Sequence, residues 1–239
     1  MECDALYSRP SGLKSLEQYG FFFFLDGKKD PNMTQGKIHS IESMGLVDGP
    51  GIRTIVFMQG CALRCKFCHN PDTWNVAENK FLWKPSQVVE RLMRFKTYYE
   101  STGGGVTFSG GEPLVQPDFL AETLEACHNA GINTCIDTAG VGLGDYSAIL
   151  KNADLLLYDV KHFEPDAYRA LTGLPIDATL AFVEAVREAG VPMWVRHVVT
   201  PGITDGEDHI RAMARYCRTL PNVQKVELLG YHKLGVEKY

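Results

Sequence analysis

The chain has 239 residues, of which 45% are hydrophobic, and a formal net charge of −5. That length supports one large core and leaves little room for two comfortable domains. The mild acidity argues against a nucleic-acid surface, which carries a basic excess, and no apolar run approaches the ~18 residues of a membrane-spanning helix.

Residues 1–32 show no sustained periodicity. The run Phe21-Phe22-Phe23-Phe24-Leu25 is short, with no basic stretch before it and no small-residue cleavage site after it, so it does not read as a signal peptide. The expectation is an N-terminal extension dispensable for chemistry, with Met33 a candidate natural start and 33–239 the working unit. Regular alternation begins just after Met33. Strand-like runs follow at 52–58, 106–109, 133–137, 155–160, 193–199 and 225–229, rich in Val, Ile, Leu and Phe as strands covered on both faces should be. Between them lie helical stripes: Val88, Leu92, Phe95 and Tyr99; then Leu120, Leu124 and Cys127; then Leu180, Val183 and Val186, with Asp177 as a candidate cap and Gly190 at the far end. Strands alternating with helices predict right-handed βαβ units and a parallel sheet. Six of them favour an α/β fold, a partial open (β/α)6 barrel, over a closed eight-stranded one, with a flat doubly wound sheet as the competitor.

In such barrels the chemistry gathers at the C-terminal ends of the strands. The first run leads into the cysteine loop at Cys61, and the second into Ser109-Gly110-Gly111-Glu112-Pro113. The third ends at Asp137-Thr138-Ala139-Gly140, the fourth at Tyr158-Asp159-Val160-Lys161 and the sixth at Gly230-Tyr231-His232. Gly110 and Gly111 suit a close backbone approach to a ligand, with free amide donors. Asp137, Asp159 and Lys161 are charges at the ends of apolar strands. They can form a salt bridge among themselves, or Lys161 can hold a carboxylate while the aspartates meet a hydroxyl, an ammonium or a metal ion. Arg196 is a cation in an apolar strand and needs a partner. His232 is either a surface histidine or a ligand contact.

Cys61, Cys65 and Cys68 stand in the run Gln-Gly-Cys-Ala-Leu-Arg-Cys-Lys-Phe-Cys-His-Asn. Three thiolates so close can wrap a metal centre and leave one position without a protein ligand, whereas iron–sulfur clusters and closed zinc sites usually take four. The alternative is a zinc knuckle completed by His69. The other cysteines show no disulfide spacing: Cys127 lies on a helical apolar stripe and Cys135 inside a strand, as small core residues in a reducing cytoplasm.

The C-x-x-x-C-x-x-C spacing with Phe67 before its last cysteine, followed one strand later by Gly-Gly-Glu-Pro, resembles the radical S-adenosylmethionine (SAM) enzymes. Val47-Asp48-Gly49-Pro50-Gly51-Ile52-Arg53, His69-Asn70-Pro71-Asp72-Thr73-Trp74 and Tyr231-His232-Lys233-Leu234-Gly235 narrow the likeness to the glycyl radical enzyme activating family, from about Gly36 onward. The resemblance implies the rest. Cys61, Cys65 and Cys68 hold a [4Fe–4S] cluster whose fourth iron takes the amino and carboxylate groups of SAM. Reduced flavodoxin or ferredoxin supplies an electron, SAM splits to methionine and a 5′-deoxyadenosyl radical, and that radical takes a hydrogen from a glycine of pyruvate formate-lyase. Phe67, Cys68, His69, Gly110, Gly111, Glu112, Asp137, Asp159, Val160, Lys161, Arg196 and His232 would bind SAM. Asp137, Thr138 and Asp159 would hold a monovalent cation, and Asp48 would contact the substrate's glycine loop. The likeness implies no nucleic acid and no membrane.

Two departures from the family pattern stand out. Ala139 replaces a common Asn or Ser, removing one polar contact to SAM. The sequence also stops at Tyr239, where the family usually continues into a helix, so an exposed apolar face is expected on the last strand. Activases of other glycyl radical enzymes commonly add cysteine groups after the first loop, and none lies between His69 and Tyr99. A non-catalytic iron–sulfur or zinc module for electron transfer would not need charges at four other strand ends.

Overall fold

The structure is a computed structural model that describes residues 34–78, 80–142 and 145–239; the expectations for 1–32 and for Met33 lie outside them. The strands are β1 (Gly36–Gly45), β2 (Arg53–Met58), β3 (Phe81–Trp83), β4 (Gly105–Gly110), β5 (Asn133–Thr138), β6 (Leu155–Asp159), β7 (Met193–Val199) and β8 (Val223–Gly230). The helices are α1 (Pro85–Met93), α2 (Lys96–Thr102), α3 (Pro117–Asn129), α4 (Ser147–Leu150), α5 (Pro165–Thr172), α6 (Asp177–Ala189) and α7 (Glu207–Cys217).

One sheet runs in the order β3-β1-β2-β4-β5-β6-β7-β8. The six expected strands are parallel neighbours in sequence order. Two antiparallel strands, which the sequence reading did not include, extend the β2 side. Only residues 46–52 separate β1 from β2, and a connection that short cannot carry a parallel crossover. The sheet is not closed: β3 and β8 are its two ends.

Strands β2, β4 and β6 are covered along almost their whole length, as parallel strands between helices should be. β8 departs from the expectation of burial on both faces and agrees with the exposed apolar face expected of the last strand. Val226 and Leu228 are 45% and 51% exposed, and among the described residues β7 is the strand's one neighbour in the sheet. The stripe Val88–Tyr99 is carried by two helices rather than one, broken between Met93 and Lys96. Asp177 is the first residue of α6 rather than its cap, which is Ile176, while Gly190 ends α6 in the left-handed conformation at φ 72°. Leu180 is only half buried; Val183, Val186, Cys127 and Cys135 are buried.

Arg53, at the start of β2, is fully buried and entirely satisfied by neutral acceptors. It donates to Thr107 Oγ1 (2.7 Å), the Pro50 carbonyl (3.2 Å), the Val106 carbonyl (2.6 Å), and the Asn133 side chain (3.1 Å) and carbonyl (3.3 Å). Thr107 in turn donates to the Asp48 carbonyl at 2.6 Å, fastening the Asp-Gly-Pro-Gly segment to the start of the sheet. Gly51, at φ 67°, sits so close to Gly104 that a Cβ would stand 2.5 Å from its nitrogen, which is why a glycine is required there.

Candidate active site

The C-terminal ends of the parallel strands converge on a cavity of about 470 Å³. Its wall includes Cys61, Cys65, Phe67, Cys68, His69, Gly110, Gly111, Glu112, Asp137, Thr138, Asp159, Lys161, Arg196 and His232, so fourteen of the sixteen residues singled out by sequence meet at one place. Val160 and Asp48 do not line it. Side chains alternate along an extended chain, so Asp159 and Lys161 face the cavity while Val160 turns into the main core. Asp48 approaches the site only through Arg196.

The cysteine loop is held from several sides. Gly60 and Cys61 donate their amides to the Thr73 and Trp74 carbonyls (2.7 and 3.2 Å), and Arg64 and Lys66 donate theirs to Thr172 and Leu171 at the end of α5 (2.7 and 3.0 Å). The Arg64 guanidinium reaches back to the carbonyls of Cys61 (2.7 Å) and Leu63 (2.8 Å) and lies 4.8 Å from the Trp74 ring centre. The C-terminal residues pack over the same loop: Tyr239 donates its hydroxyl to the Cys68 carbonyl at 3.0 Å, and Lys238 reaches Asn70 at 3.1 Å. Burial pushes the Cys61 thiol upward, and it lifts Cys65 to about 11 despite the nearby Lys161. Iron loading therefore has to displace protons.

The donor set suits a cluster better than a single ion. His69, the zinc alternative's fourth ligand, donates Nε2–H to the His232 carbonyl at 3.0 Å and stacks on the His232 ring at 3.8 Å. Among the described residues no three His, Cys, Asp or Glu side chains are placed to share one metal ion. A zinc ion needs all its sulfurs about 2.3 Å from one centre. In an iron–sulfur cluster each thiolate meets its own iron, so the thiols fan more widely.

The same cavity carries a group of charges. Lys161 donates to Asp159 at 2.5 Å, and its ammonium lies 5.5 Å from the Phe67 ring centre. Burial opposes the Lys161 charge, but Asp159 and Cys65 outweigh it and hold its pKa above the usual lysine value. Asp137 accepts from Ser109 at 2.6 Å, and burial together with the Asp159 charge pushes it upward. Arg196 pairs with Glu227 (3.0 Å) and Asp48 (3.5 Å) and donates to the Val47 carbonyl. Burial works against its charge as well, and the surrounding carboxylates reverse the effect.

Glu112 and the paired glycines act differently from the expectation. The Gly111 amide is not a free donor but is given to the Met58 carbonyl at 2.9 Å, and the Glu112 amide goes to Gly60 at 2.8 Å. A Cβ on Gly111 would stand 2.2 Å from the Gly60 carbonyl oxygen, so the glycine is needed for the approach of one loop to another. The Glu112 carboxyl accepts from the Thr138 hydroxyl (2.5 Å), the Ala139 amide (2.9 Å) and the Leu114 amide (3.2 Å), tying β4 to β5. Burial raises it to about 7 in spite of those three donors. The Thr138 hydroxyl accepts from the Gly140 amide (2.8 Å), which leaves one lone pair for a cation.

Sequence reasoning quoted Ser109, Asn70 and Trp74 within motifs but gave them no role of their own, and it passed over Val198, Leu228 and Leu229; all six line the cavity, and Glu227, also passed over, holds Arg196. Ser109 adjoins the glycine pair and was within reach. Val198, Leu228 and Leu229 read as ordinary strand residues and gave no signal.

An α/β sheet that gathers three thiols, a lysine, an arginine and two aspartates around one cavity at its strand ends defines an enzyme that binds its cofactors there. Residues 55–215 match the family described as "Radical SAM superfamily". A pyruvate formate-lyase-activating enzyme of Clostridium pasteurianum is 54% identical over 87% of this chain and 87% of its own length. One of Staphylococcus epidermidis is 42% identical over 87% and 85%. Among solved structures, Streptococcus suis SuiB bound to precursor peptide SuiA superposes with a TM-score of 0.60 at 18% identity, covering 75% of this chain and 39% of that one. The chain is a radical SAM enzyme and belongs to the family of pyruvate formate-lyase-activating enzymes. Its cofactors are accordingly a [4Fe–4S] cluster and SAM.

Proposed function

We propose that this chain activates pyruvate formate-lyase by forming a glycyl radical on it. The observation that carries the reading is that Cys61, Cys65 and Cys68 line one cavity with Lys161, Asp159 and Arg196, while His69 commits its Nε2 to the His232 carbonyl. Cys61, Cys65 and Cys68 would hold a [4Fe–4S] cluster, which would supply the one-electron reductive cleavage of SAM needed for hydrogen abstraction at a glycine Cα.

The chain's own residues bind, orient and exclude water. The three thiolates hold iron, and the loop that carries them is fixed on α5 and on the strand ends. Lys161, already paired with Asp159, offers an ammonium to the SAM carboxylate. Asp137 and Asp159 sit close enough to raise Asp137, so a positive group between them relieves the repulsion, whether the SAM ammonium or a monovalent cation with Thr138 as a further ligand. Phe67, His69, Gly110, Gly111, Glu112, Arg196 and His232 complete the surround. Val160 contributes through its backbone: its carbonyl accepts from His197 Nδ1 at 2.7 Å and its amide goes to the Arg196 carbonyl at 2.9 Å. Asp48, tethered by Arg196, is the group offered to the glycine loop of the partner, and that loop plugs the mouth against solvent. No acid–base pair is needed for hydrogen-atom transfer. Reduced flavodoxin or ferredoxin is the electron donor, the setting is the cytoplasm, and residues 33–239 form the catalytic unit.

Anaerobic reconstitution with iron and sulfide, then reduction in the presence of SAM, is expected to yield methionine and 5′-deoxyadenosine. Adding pyruvate formate-lyase should produce a glycyl radical doublet by electron paramagnetic resonance. SAM cleavage without a doublet would move the assignment to another glycyl radical enzyme. No cleavage by a cluster-loaded chain would leave an electron-transfer module.

A further inference from the structure

Tyr168 lies on α5 beneath the cysteine loop. It is 1% exposed, and its hydroxyl has no hydrogen-bond partner. An unpaired buried hydroxyl costs on the order of 1–3 kcal/mol, and buried polar groups are rarely left so. Its surroundings indicate what it waits for. The ring packs in one buried group with Cys61, Ala62, Leu63 and Cys65. The groups whose charge acts on its oxygen are Cys65, Lys161, Glu112 and Cys61. The end of the same helix receives the Arg64 and Lys66 amides, so α5 positions both the phenol and the loop. Burial pushes the phenol's ionisation upward, which keeps it a donor.

We propose that the Tyr168 hydroxyl donates a hydrogen bond to sulfur, of the bound cluster or of the Cys65 thiolate that holds it, and thereby raises the cluster's reduction potential. A donor at sulfur favours the state with one more electron, because that state carries more negative charge. The inference rests on the cluster assigned to Cys61, Cys65 and Cys68. It needs no reaction at the tyrosine itself.

Tyr168→Phe removes one atom that has no partner in the structure, so the variant should fold. In the cluster-free protein its urea midpoint is expected to equal or exceed that of the wild type. After anaerobic reconstitution, a redox titration followed by electron paramagnetic resonance without SAM or substrate reads the potential directly. The redox equilibrium of Tyr168→Phe should move roughly tenfold toward the oxidised form, which for a one-electron couple is 59 mV. Leu174→Ala, which perturbs the same packing group without touching a donor, should lower the urea midpoint and leave the potential in place. Equal potentials in wild type and Tyr168→Phe, or an equal shift in Leu174→Ala, would overturn the proposal. Failure of both wild type and Tyr168→Phe to bind iron would instead overturn the cluster assignment on which it rests.

Discussion

Three imidazoles that do not line the cavity sit together behind Val160 and make the stability of the fold sensitive to acid. His197 is fully buried and gives its Nδ1 proton to the Val160 carbonyl at 2.7 Å. Its Nε2 therefore accepts from His209 Nε2, 3.0 Å away. The His162 ring centre is 4.9 Å from that of His209, and His162 Nδ1 accepts the Glu164 amide at 3.0 Å. Each tautomer is thus fixed as neutral, and a proton added to one ring would face the other two. Burial, then the neighbouring His209 and His197, lower His162 from 6.5 to about 4.

The sign follows from proton counting. Between about pH 4 and 6.5 the unfolded chain holds a proton on this residue that the fold does not, so its contribution is complete above 6.5 and lost as the pH falls. At ~1.36 kcal/mol per pH unit, acidification through that window removes on the order of 3 kcal/mol, against a total stability of roughly 5–15 kcal/mol. Glu112 acts oppositely: it rises from 4.5 to about 7, so the fold keeps a proton that the unfolded chain has lost, and stability declines as pH rises through that range. The two slopes partly cancel in the wild type, which is why a variant has to isolate one of them. His162→Asn retains an acceptor for the Glu164 amide and removes the titration. Urea unfolding of the cluster-free chains, followed by tryptophan fluorescence in reducing buffer, should show wild type losing roughly 2–3 kcal/mol relative to His162→Asn between about pH 7 and 4.5. Parallel stability curves for the two proteins would refute the reasoning.

Three further outcomes follow from the packing. Cys65→Ala should abolish iron binding after reconstitution, whereas Cys127→Ala, on the core face of α3, should keep iron near the wild-type content; equal losses would mean the ligands are misassigned. Gly111→Ala forces a methyl 2.2 Å from the Gly60 carbonyl and should cut iron occupancy at least several-fold by displacing the cysteine loop, read by iron assay on folded protein. Arg53→Met leaves five bonds to Thr107, Pro50, Val106 and Asn133 unmade. It should cost on the order of 3 kcal/mol or more by chemical denaturation, and a change below about 0.5 kcal/mol would contradict the stabilising role given to those bonds.

Much of this site was legible because barrel geometry turns sequence position into spatial position. Once the strands are placed, Asp137, Asp159 and Lys161 must meet Cys61 at one rim, and they do. What stayed hidden depends on contacts distant in sequence. Glu227 holds Arg196 only because β8 pairs with β7 in the observed register. Tyr168 reads as a helix residue until the cysteine loop is seen lying on it. β3 has three residues, too few for any alternation to emerge. The Gly110-Gly111 pair was found by pattern, but a second reason for it was not: Gly111 gives its amide to the end of β2 and has to pass close to Gly60.

Among the described residues the sheet that begins at β3 and ends at β8 does not close on itself. The strand-end side is instead drawn together by single contacts, Tyr239 on the Cys68 carbonyl, Lys238 on Asn70 and the His69 ring on His232. Such a rim is held by side chains rather than by a continuous ladder, so it can yield locally without unpairing a strand.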